Sequence, residues 1–231
     1  MDYFYDGCDP NQLEVLIEKG IIRGVTTNVN FVIDYAKENS ISSYFDAVLP
    51  IYNVAKSFNS DIPFSIQAVG KTPSELIDSA LNIKEKFSEG INLYVKIPVN
   101  YKNLNVINKL SKEEKINVNA TCITSFLQAT IAHSAGAKIL SFFWGKMTDE
   151  GLDPSEHVES LKEYIIQNNS NSKILCGSIR QSRVIHEAFL SGADILTMPF
   201  GYFEKISERK KSEEATQIFD NAWYSSKLTL N

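Results

Sequence analysis

Short apolar runs alternate with longer amphipathic stretches along the chain, and the runs have the length of buried strands. Between two of them, residues 72–87 place Leu76, Ala80 and Ile83 at helical spacing, and the pair Thr72-Pro73 suits a helix start. This pattern predicts repeated βα units around a parallel sheet. The eight predicted strands are residues 3–6, 22–26, 64–67, 93–98, 118–121, 139–143, 173–178 and 195–199.

Eight βα units in a chain of 231 residues predict a small (β/α)8 TIM barrel of the α/β class. A chain of this length buries one substantial core, so we expect residues 1–231 to form a single domain. Residues 204–231 then form a C-terminal helix and tail beyond the eighth unit. Gly136 and Gly192 stand where helices are expected to end before the next strand.

In such a barrel the reactive side chains gather at the carboxyl ends of the strands. Seven of the predicted strands end in, or are followed by, polar side chains, namely Asp6, Thr26, Asn28, Gln67, Lys96, Asn119, Thr121, Ser141, Ser178 and Arg180. The eighth strand, which ends in Met198-Pro199, looks chemically silent. One such residue taken alone more often caps a helix than reacts, but the recurrence around a single rim favours a functional site.

Lys96 lies in the middle of an apolar strand, and strand alternation puts it on the face opposite Val95 and Ile97. If that face points into the barrel, burial disfavours the ammonium form and raises the fraction of free amine, which can form a Schiff base with a carbonyl. The alternative is a lysine that extends outward from the strand end into water. Asp6 is also open to two readings, as a catalytic acid or as a strand-end carboxylate that caps a helix or pairs with a base.

Charge and composition exclude several classes of protein. A net charge of −5 and a pI near 5.3 argue against a nucleic-acid-binding surface or an anionic-membrane surface. No apolar run approaches the roughly 18 residues of a membrane helix. The first residues do not read as a secretory signal, so we expect a cytoplasmic protein. Cys8, Cys122 and Cys176 lack metal-type spacing, so we expect no metal site.

Six segments, in their order and spacing, carry a family resemblance that spans almost the whole chain. They are YFYDGCD, GVTTN, YVKIPV, NVNATCITSFLQA, AGAKILSFFWGK and GSIR. In these segments the chain resembles the transaldolase and fructose-6-phosphate aldolase family, particularly its short bacterial and phage-type branch. The resemblance implies a (β/α)8 barrel that uses no metal and no cofactor. It also implies a homo-oligomeric ring, a pentamer or decamer, in which the C-terminal helix reaches an adjacent subunit.

The resemblance further implies the chemistry. Lys96 would form the Schiff base with C2 of a ketose phosphate, and Asp6 would handle the proton of the C4 hydroxyl while the C3–C4 bond breaks. Thr121 matches the threonine that holds a catalytic water. The positions that match the family's binding site for the donor hydroxyl groups are Thr26, Asn28, Asn119 and Ser141. The positions that match its phosphate site are Ser178 and Arg180.

Three positions depart from the family pattern. Gln67 stands where transaldolases have a glutamate that exchanges a proton, which an amide does not do, and it resembles the aldolase branch. Phe143 is the transaldolase choice where that aldolase branch has a tyrosine. Lys146 replaces a second phosphate-binding arginine, so it keeps the charge but loses the forked geometry of a guanidinium.

The leading expectation is a transaldolase, because Asn119, Ser141 and Phe143 match that branch. Such an enzyme passes a dihydroxyacetone unit from fructose 6-phosphate, for example, to an aldose phosphate. The alternative is a fructose-6-phosphate aldolase, which Gln67 favours and which releases dihydroxyacetone and glyceraldehyde 3-phosphate. A further alternative is a sugar-phosphate-binding homologue with weak catalysis, which Gln67 and Lys146 keep open.

Overall fold

The computed structural model describes residues 1–59, 61–205 and 209–230. Within them, eight parallel strands close into a barrel in which each strand pairs with its neighbours in chain order. The (β/α)8 fold predicted from the sequence is therefore confirmed, and the strand ends lie within two residues of the predicted ones. The strands are β1 Asp2–Asp6, β2 Gly24–Thr26, β3 Pro63–Gln67, β4 Asn92–Pro98, β5 Asn117–Ile123, β6 Ile139–Phe143, β7 Lys173–Gly177 and β8 Ile195–Met198.

Helices follow the strands and cover the outside of the barrel. They are α1 Pro10–Glu18, α2 Val29–Glu38, α3 Tyr44–Phe58, α4 Pro73–Phe87, α5 Leu104–Lys112, α6 Phe126–Ala135, α7 Trp144–Asp149, α8 Pro154–Gln167 and α9 Arg183–Leu190. The start of α4 is fixed by a capping box, in which Thr72 and Glu75 each accept a hydrogen bond from the other's backbone N–H. Gly136 ends α6 at a φ of 111°, a conformation that favours glycine. No helix of the described residues has both the length and the apolarity to cross a membrane.

The chain divides into two compact units. The first, Met1–Met198, is the barrel, and the second, Pro199–Asn231, contains α10 Phe200–Glu204 and α11 Lys210–Ser225. The second unit begins at Pro199. The expectation of a single domain with a C-terminal extension from residue 204 stays a prediction.

Apolar side chains fill the barrel interior toward the amino ends of the strands. This apolar plug is formed by Phe4, Ile139, Leu175 and Ile195, with Tyr94 packed against it. The Phe4 ring lies so close to β2 that a Cβ on Gly24 would stand 2.4 Å from its Cζ atom. Gly24 therefore makes room for the ring. Because side chains of one strand alternate between its two faces, the next inward positions lie one layer above the plug.

That next layer is polar. The strand register pairs Asp6 with Thr26, Thr26 with Ser65, and Lys96 with Asn119. Gln67, at the end of β3, is in register with Lys96. The fold thus places polar side chains from five neighbouring strands next to one another, between the apolar plug and the carboxyl end of the barrel.

Candidate active site

Lys96 lies inside the barrel, with only 6% of its surface exposed. The flanking Val95 and Ile97 are fully buried on the helix side of β4. The Lys96 Nζ donates a hydrogen bond of 2.8 Å to the backbone oxygen of Thr27. Burial lowers the pKa of Lys96, and the nearby groups Asp6 and Cys122 offset part of that effect. The structure therefore holds an amine whose neutral form is favoured more than in water.

Asp6, the last residue of β1, extends into the same interior. Burial raises the pKa of its carboxyl, while the Lys96 ammonium and a hydrogen bond from Thr26 act in the opposite direction. That hydrogen bond is 2.8 Å long and runs from Thr26 Oγ1 to Asp6 Oδ1. Asp6 and Lys96 interact electrostatically, but these two side chains make no direct ion pair. A carboxyl and an amine with opposite pKa shifts thus share one barrel interior.

A buried hydrogen-bond network fixes the orientation of Asn119. Its Nδ2 donates to Ser65 Oγ at 3.1 Å, and its Oδ1 accepts from Ser141 Oγ at 2.6 Å. All three side chains are buried, so each hydrogen bond also satisfies a polar group that has lost water. Ser65 was not among the residues selected from the sequence. The available signal was its position two residues before Gln67, on the same strand face.

Thr121 presents a buried hydroxyl that has no hydrogen-bond partner among the described residues. The strand is irregular at this point, because the register between β5 and β6 shifts between Ala120 and Ile123 and Cys122 has a φ of 62°. An unsatisfied buried hydroxyl costs about 1–3 kcal/mol, which a bound polar group can recover. Thr121 can therefore hold a polar group that the chain itself does not provide.

Gln67 is half-buried at the carboxyl end of β3. Its backbone oxygen accepts a hydrogen bond of 2.8 Å from the hydroxyl of Tyr44, which anchors this strand end to α3. The amide neither gains nor loses a proton near neutral pH. Gln67 can therefore orient a ligand beside Lys96 by hydrogen bonding, but it cannot serve as an acid or a base.

Asn28 has a clear structural role. It is the N-cap of α2, and its Oδ1 accepts hydrogen bonds from the backbone N–H groups of Asn30 at 3.0 Å and Phe31 at 3.2 Å. The capping oxygen is thereby occupied, and the Nδ2 group is the part of the side chain that can still donate to a ligand.

Ser178 and Arg180 follow β7 and meet the start of α7. The Ser178 backbone oxygen accepts from the Gly145 N–H at 3.1 Å, and a Cβ on Gly145 would stand 2.9 Å from Arg180 Nε and 3.0 Å from Ser178 Oγ. Glycine is therefore needed for this close approach. Arg180 also forms an ion pair with Asp149, in which both side chains are about half exposed. Phe143 is half-buried at the end of β6, and Lys146 is exposed on α7.

The eighth strand is not chemically silent, and that prediction was wrong. Thr197 on β8 is 4% exposed, and its Oγ1 lies 2.6 Å from Thr26 Oγ1. Since Thr26 donates to Asp6, the eighth strand is connected to the candidate acid through two hydroxyl groups. The sequence gives little sign of this role for Thr197, because a threonine between apolar neighbours is typical of any buried strand.

The cysteines offer no disulfide, and metal ligands do not cluster in the described ranges. Cys8, Cys122 and Cys176 are free thiols. Burial raises the pKa of Cys8 to about 12, which disfavours its reactive thiolate form. Within residues 1–59, 61–205 and 209–230, no group of three or more His, Cys, Asp or Glu side chains is placed to hold a metal ion.

Comparisons with known proteins agree with this geometry. The family model described as Transaldolase/Fructose-6-phosphate aldolase matches residues 3–229. A probable transaldolase of Petrotoga mobilis is 31% identical over 223 residues, which cover 96% of this chain and 95% of that protein. A probable transaldolase of Streptococcus equi subsp. equi is 29% identical over 228 residues, covering 98% of this chain and 100% of that protein.

Solved structures support the fold at lower sequence identity. A cube-shaped, highly porous protein cage, designed by fusing symmetric oligomeric domains, aligns with a TM-score of 0.57 and 14% identity, over 96% of this chain and 77% of that chain. Inosine 5'-monophosphate dehydrogenase from Legionella pneumophila aligns with a TM-score of 0.52 and 10% identity, over 86% of this chain and 58% of that chain. At these identities the likeness concerns the barrel fold alone.

Proposed function

The chain belongs to the transaldolase/fructose-6-phosphate aldolase family, and from that premise we propose that it is a Schiff-base transaldolase. The proposed reaction transfers a dihydroxyacetone unit from a ketose phosphate, such as fructose 6-phosphate, to an aldose phosphate. One observation carries the proposal, namely a lysine inside the barrel whose pKa is lowered by burial and which shares that interior with the Asp6 carboxyl.

In the first step, the neutral amine of Lys96 attacks the C2 carbonyl of the donor, and loss of water leaves an iminium ion. Burial assists this step because it raises the neutral fraction of the amine. The hydrogen bond to the Thr27 oxygen fixes the direction of the Nζ before the attack. After iminium formation, the nearby Asp6 carboxylate stabilises the new positive charge.

In the second step, Asp6 accepts the proton of the C4 hydroxyl. The C3–C4 bond then breaks, its electron pair moves into the iminium to give an enamine, and the aldehyde product leaves. Burial makes Asp6 a stronger base than an exposed aspartate, which suits proton removal from a hydroxyl group. The Thr26 hydrogen bond holds the carboxyl in place for the transfer.

In the transfer step, C3 of the enamine attacks the carbonyl of the acceptor aldose, and Asp6 returns its proton to the new C4 oxygen. Water then hydrolyses the iminium and restores Lys96. We assign the positioning of that water to the unpartnered hydroxyl of Thr121. The fixed Ser141–Asn119 pair is suited to hydrogen bonding with the hydroxyl groups of the bound sugar.

We assign the donor phosphate to the region of Ser178 and Arg180, with Lys146 as an exposed additional cation. The Arg180 guanidinium binds phosphate oxygens through two parallel hydrogen bonds once it exchanges its partner Asp149 for the ligand. Because both members of that ion pair are about half exposed, breaking it costs little.

Gln67 favours a second candidate function, a fructose-6-phosphate aldolase. In that reaction the enamine is protonated at C3 and hydrolysed, so dihydroxyacetone is released without an acceptor. Gln67 stands in register with Lys96, at the position where an amide matches the aldolase branch.

A coupled assay separates the two functions. The purified protein is incubated with fructose 6-phosphate, with and without erythrose 4-phosphate, and glyceraldehyde 3-phosphate and free dihydroxyacetone are both measured. A transaldolase turns over only with the acceptor. Acceptor-independent release of dihydroxyacetone at a comparable rate contradicts the leading proposal and favours the aldolase.

We also propose a homo-oligomeric ring, a pentamer or decamer, in the cytoplasm. The support for assembly is α11, which exposes large apolar side chains, namely Ile218, Phe219, Trp223 and Tyr224. The support for a reducing compartment is the presence of three free cysteines. Light scattering coupled to gel filtration tests the assembly, and a monomer at micromolar concentration contradicts it.

A further inference from the structure

The hydroxyl of Thr197 lies one hydrogen bond beyond the partner of the Asp6 carboxyl. Thr197 Oγ1 is 2.6 Å from Thr26 Oγ1, which in turn is 2.8 Å from Asp6 Oδ1. The arrangement follows from the barrel, because β8 and β2 are the two neighbours of β1 and their inward side chains meet beside it. Thr26 and Thr197 are both buried, so water does not compete for these hydrogen bonds.

Counting the hydroxyl hydrogens shows in which direction the hydrogen bonds between Thr197, Thr26 and Asp6 run. A threonine hydroxyl has one hydrogen to donate. When Asp6 is ionised, Thr26 donates that hydrogen to the carboxylate, and the contact of 2.6 Å then requires Thr197 to donate to Thr26. Both hydrogen bonds are short in this state.

The opposite direction is less favourable. If Asp6 is protonated and donates to Thr26, then Thr26 donates to Thr197, and Thr197 is left with the backbone oxygen of Phe4 as its acceptor. That contact is 3.5 Å long, which is beyond the normal range of an O–H···O hydrogen bond. The geometry of the three groups therefore fits Asp6 Oδ1 as the acceptor of the Thr26 hydrogen bond better than as its donor, and an ionised carboxylate is an acceptor on both oxygens.

We propose that Thr197 is a positioning residue for Asp6, which acts through Thr26 to keep the carboxyl ionised and directed into the barrel. The effect on turnover rests on the proposed function, whereas the effect on Asp6 itself does not. The titratable side chains that interact with Asp6 are Lys96 on β4 and Tyr5 on β1, and neither contact depends on the Thr197 hydroxyl.

Thr197→Val tests this role, because valine keeps the shape of threonine and removes the hydroxyl. Without Thr197 as donor, the pKa of the Asp6 carboxyl should rise by about half a unit to one unit, the size expected for one neutral hydrogen bond. Titration of 13C-labelled aspartate carboxyls by NMR measures the shift, and the Asp6→Asn spectrum assigns the signal. Thr197→Ser should restore the wild-type value.

A matched control and a second readout complete the experiment. Ser172→Ala removes another buried hydroxyl, which donates to Ala137 at the amino end of the barrel, and should leave the Asp6 titration unchanged. In the enzyme assay, the acidic limb of the pH profile of kcat/KM for Thr197→Val should shift to higher pH by the same amount as the pKa of Asp6 in the NMR titration. If valine prevents folding, Thr197→Ala removes the same hydroxyl with a smaller side chain.

The outcomes separate this inference from the proposed function. An Asp6 titration that is the same in wild type, Thr197→Val and Thr197→Ala overturns the positioning role, even if the wild type is a fully active transaldolase. An upward shift that serine reverses supports the role, even if the wild type forms no covalent adduct with a ketose phosphate, in which case the proposed function alone fails.

Discussion

Replacing Lys96 with methionine tests whether the amine and the Asp6 carboxyl are coupled inside the barrel. Methionine fills a similar volume but removes the positive charge that lowers the pKa of Asp6. Among the residues that the structure describes, Asp6 is then left beside Thr26 with no neighbouring cation to compensate its buried charge. We expect Lys96→Met to be destabilised at neutral pH, although it introduces an apolar side chain into a buried position.

The loss of stability has an upper limit, because Asp6 can take up a proton and become neutral. At about pH 7.5, protonating a carboxyl with an ordinary pKa of 3.8 costs about 5 kcal/mol, which sets the upper limit of the loss. At about pH 4.5 the same protonation costs about 1 kcal/mol.

The sign of the pH dependence is therefore fixed. Because burial raises the folded-state pKa of Asp6 above 3.8, the folded state binds this proton more tightly than the unfolded state. The stability that Asp6 contributes is fully present below pH 3.8 and is lost as the pH rises through its folded-state pKa. Losing Lys96 raises that pKa further, so the variant should be weakest, relative to wild type, at neutral and higher pH.

Urea unfolding at the two pH values measures the effect. The free energy of unfolding of Lys96→Met, relative to wild type, should fall by more than about 1 kcal/mol and at most about 5 kcal/mol at about pH 7.5, and by no more than about 1 kcal/mol at about pH 4.5. Lys71→Met removes an exposed lysine and should show no such difference. A Lys96→Met loss of equal size at both pH values would refute the electrostatic reasoning.

Three further substitutions test individual parts of the site. Gln67→Glu supplies the group that exchanges protons in transaldolases, so transfer to erythrose 4-phosphate should rise at least about tenfold, and an unchanged rate would point to another proton path. Lys146→Arg restores a forked phosphate donor and should lower the KM for fructose 6-phosphate about fivefold with little change in kcat, whereas an unchanged KM would place the phosphate elsewhere. Ser65→Ala releases Asn119 and should lower kcat/KM about fivefold, the equivalent of one hydrogen bond; full activity would show that the network is not needed.

The fold could be predicted from the sequence because the barrel is built from local patterns. Strand alternation fixes which residues of 94–98 share a face, and Thr72-Pro73 and Gly136 mark helix ends through local backbone chemistry. Those signals involve neighbours in the chain, so one sequence is enough to read them. Alternation also put Lys96 on the face opposite Val95 and Ile97, but whether that face pointed into the barrel or toward water stayed open until the structure placed it inside.

The contacts that tune the site could not be predicted in this way, because they join residues far apart in the chain. Thr26 and Thr197 are 171 positions apart, and Asn119 is 54 positions from Ser65. A serine or threonine within an apolar strand has the same sequence appearance whether it fills space or orients a neighbouring polar group. The use of Asn28 as a helix cap is local, but the side chain could equally have pointed to a ligand.

Borohydride trapping reports whether Lys96 forms a Schiff base with the donor sugar. The protein is incubated with fructose 6-phosphate and sodium borohydride, and peptide mass spectrometry locates the reduced adduct. The Schiff-base mechanism predicts one adduct, on Lys96, which is absent in Lys96→Met and retained in Lys71→Met. A folded wild-type protein that gives no adduct, or that is modified equally on its exposed lysines, would contradict the Schiff-base mechanism and favour a protein that only binds sugar phosphates.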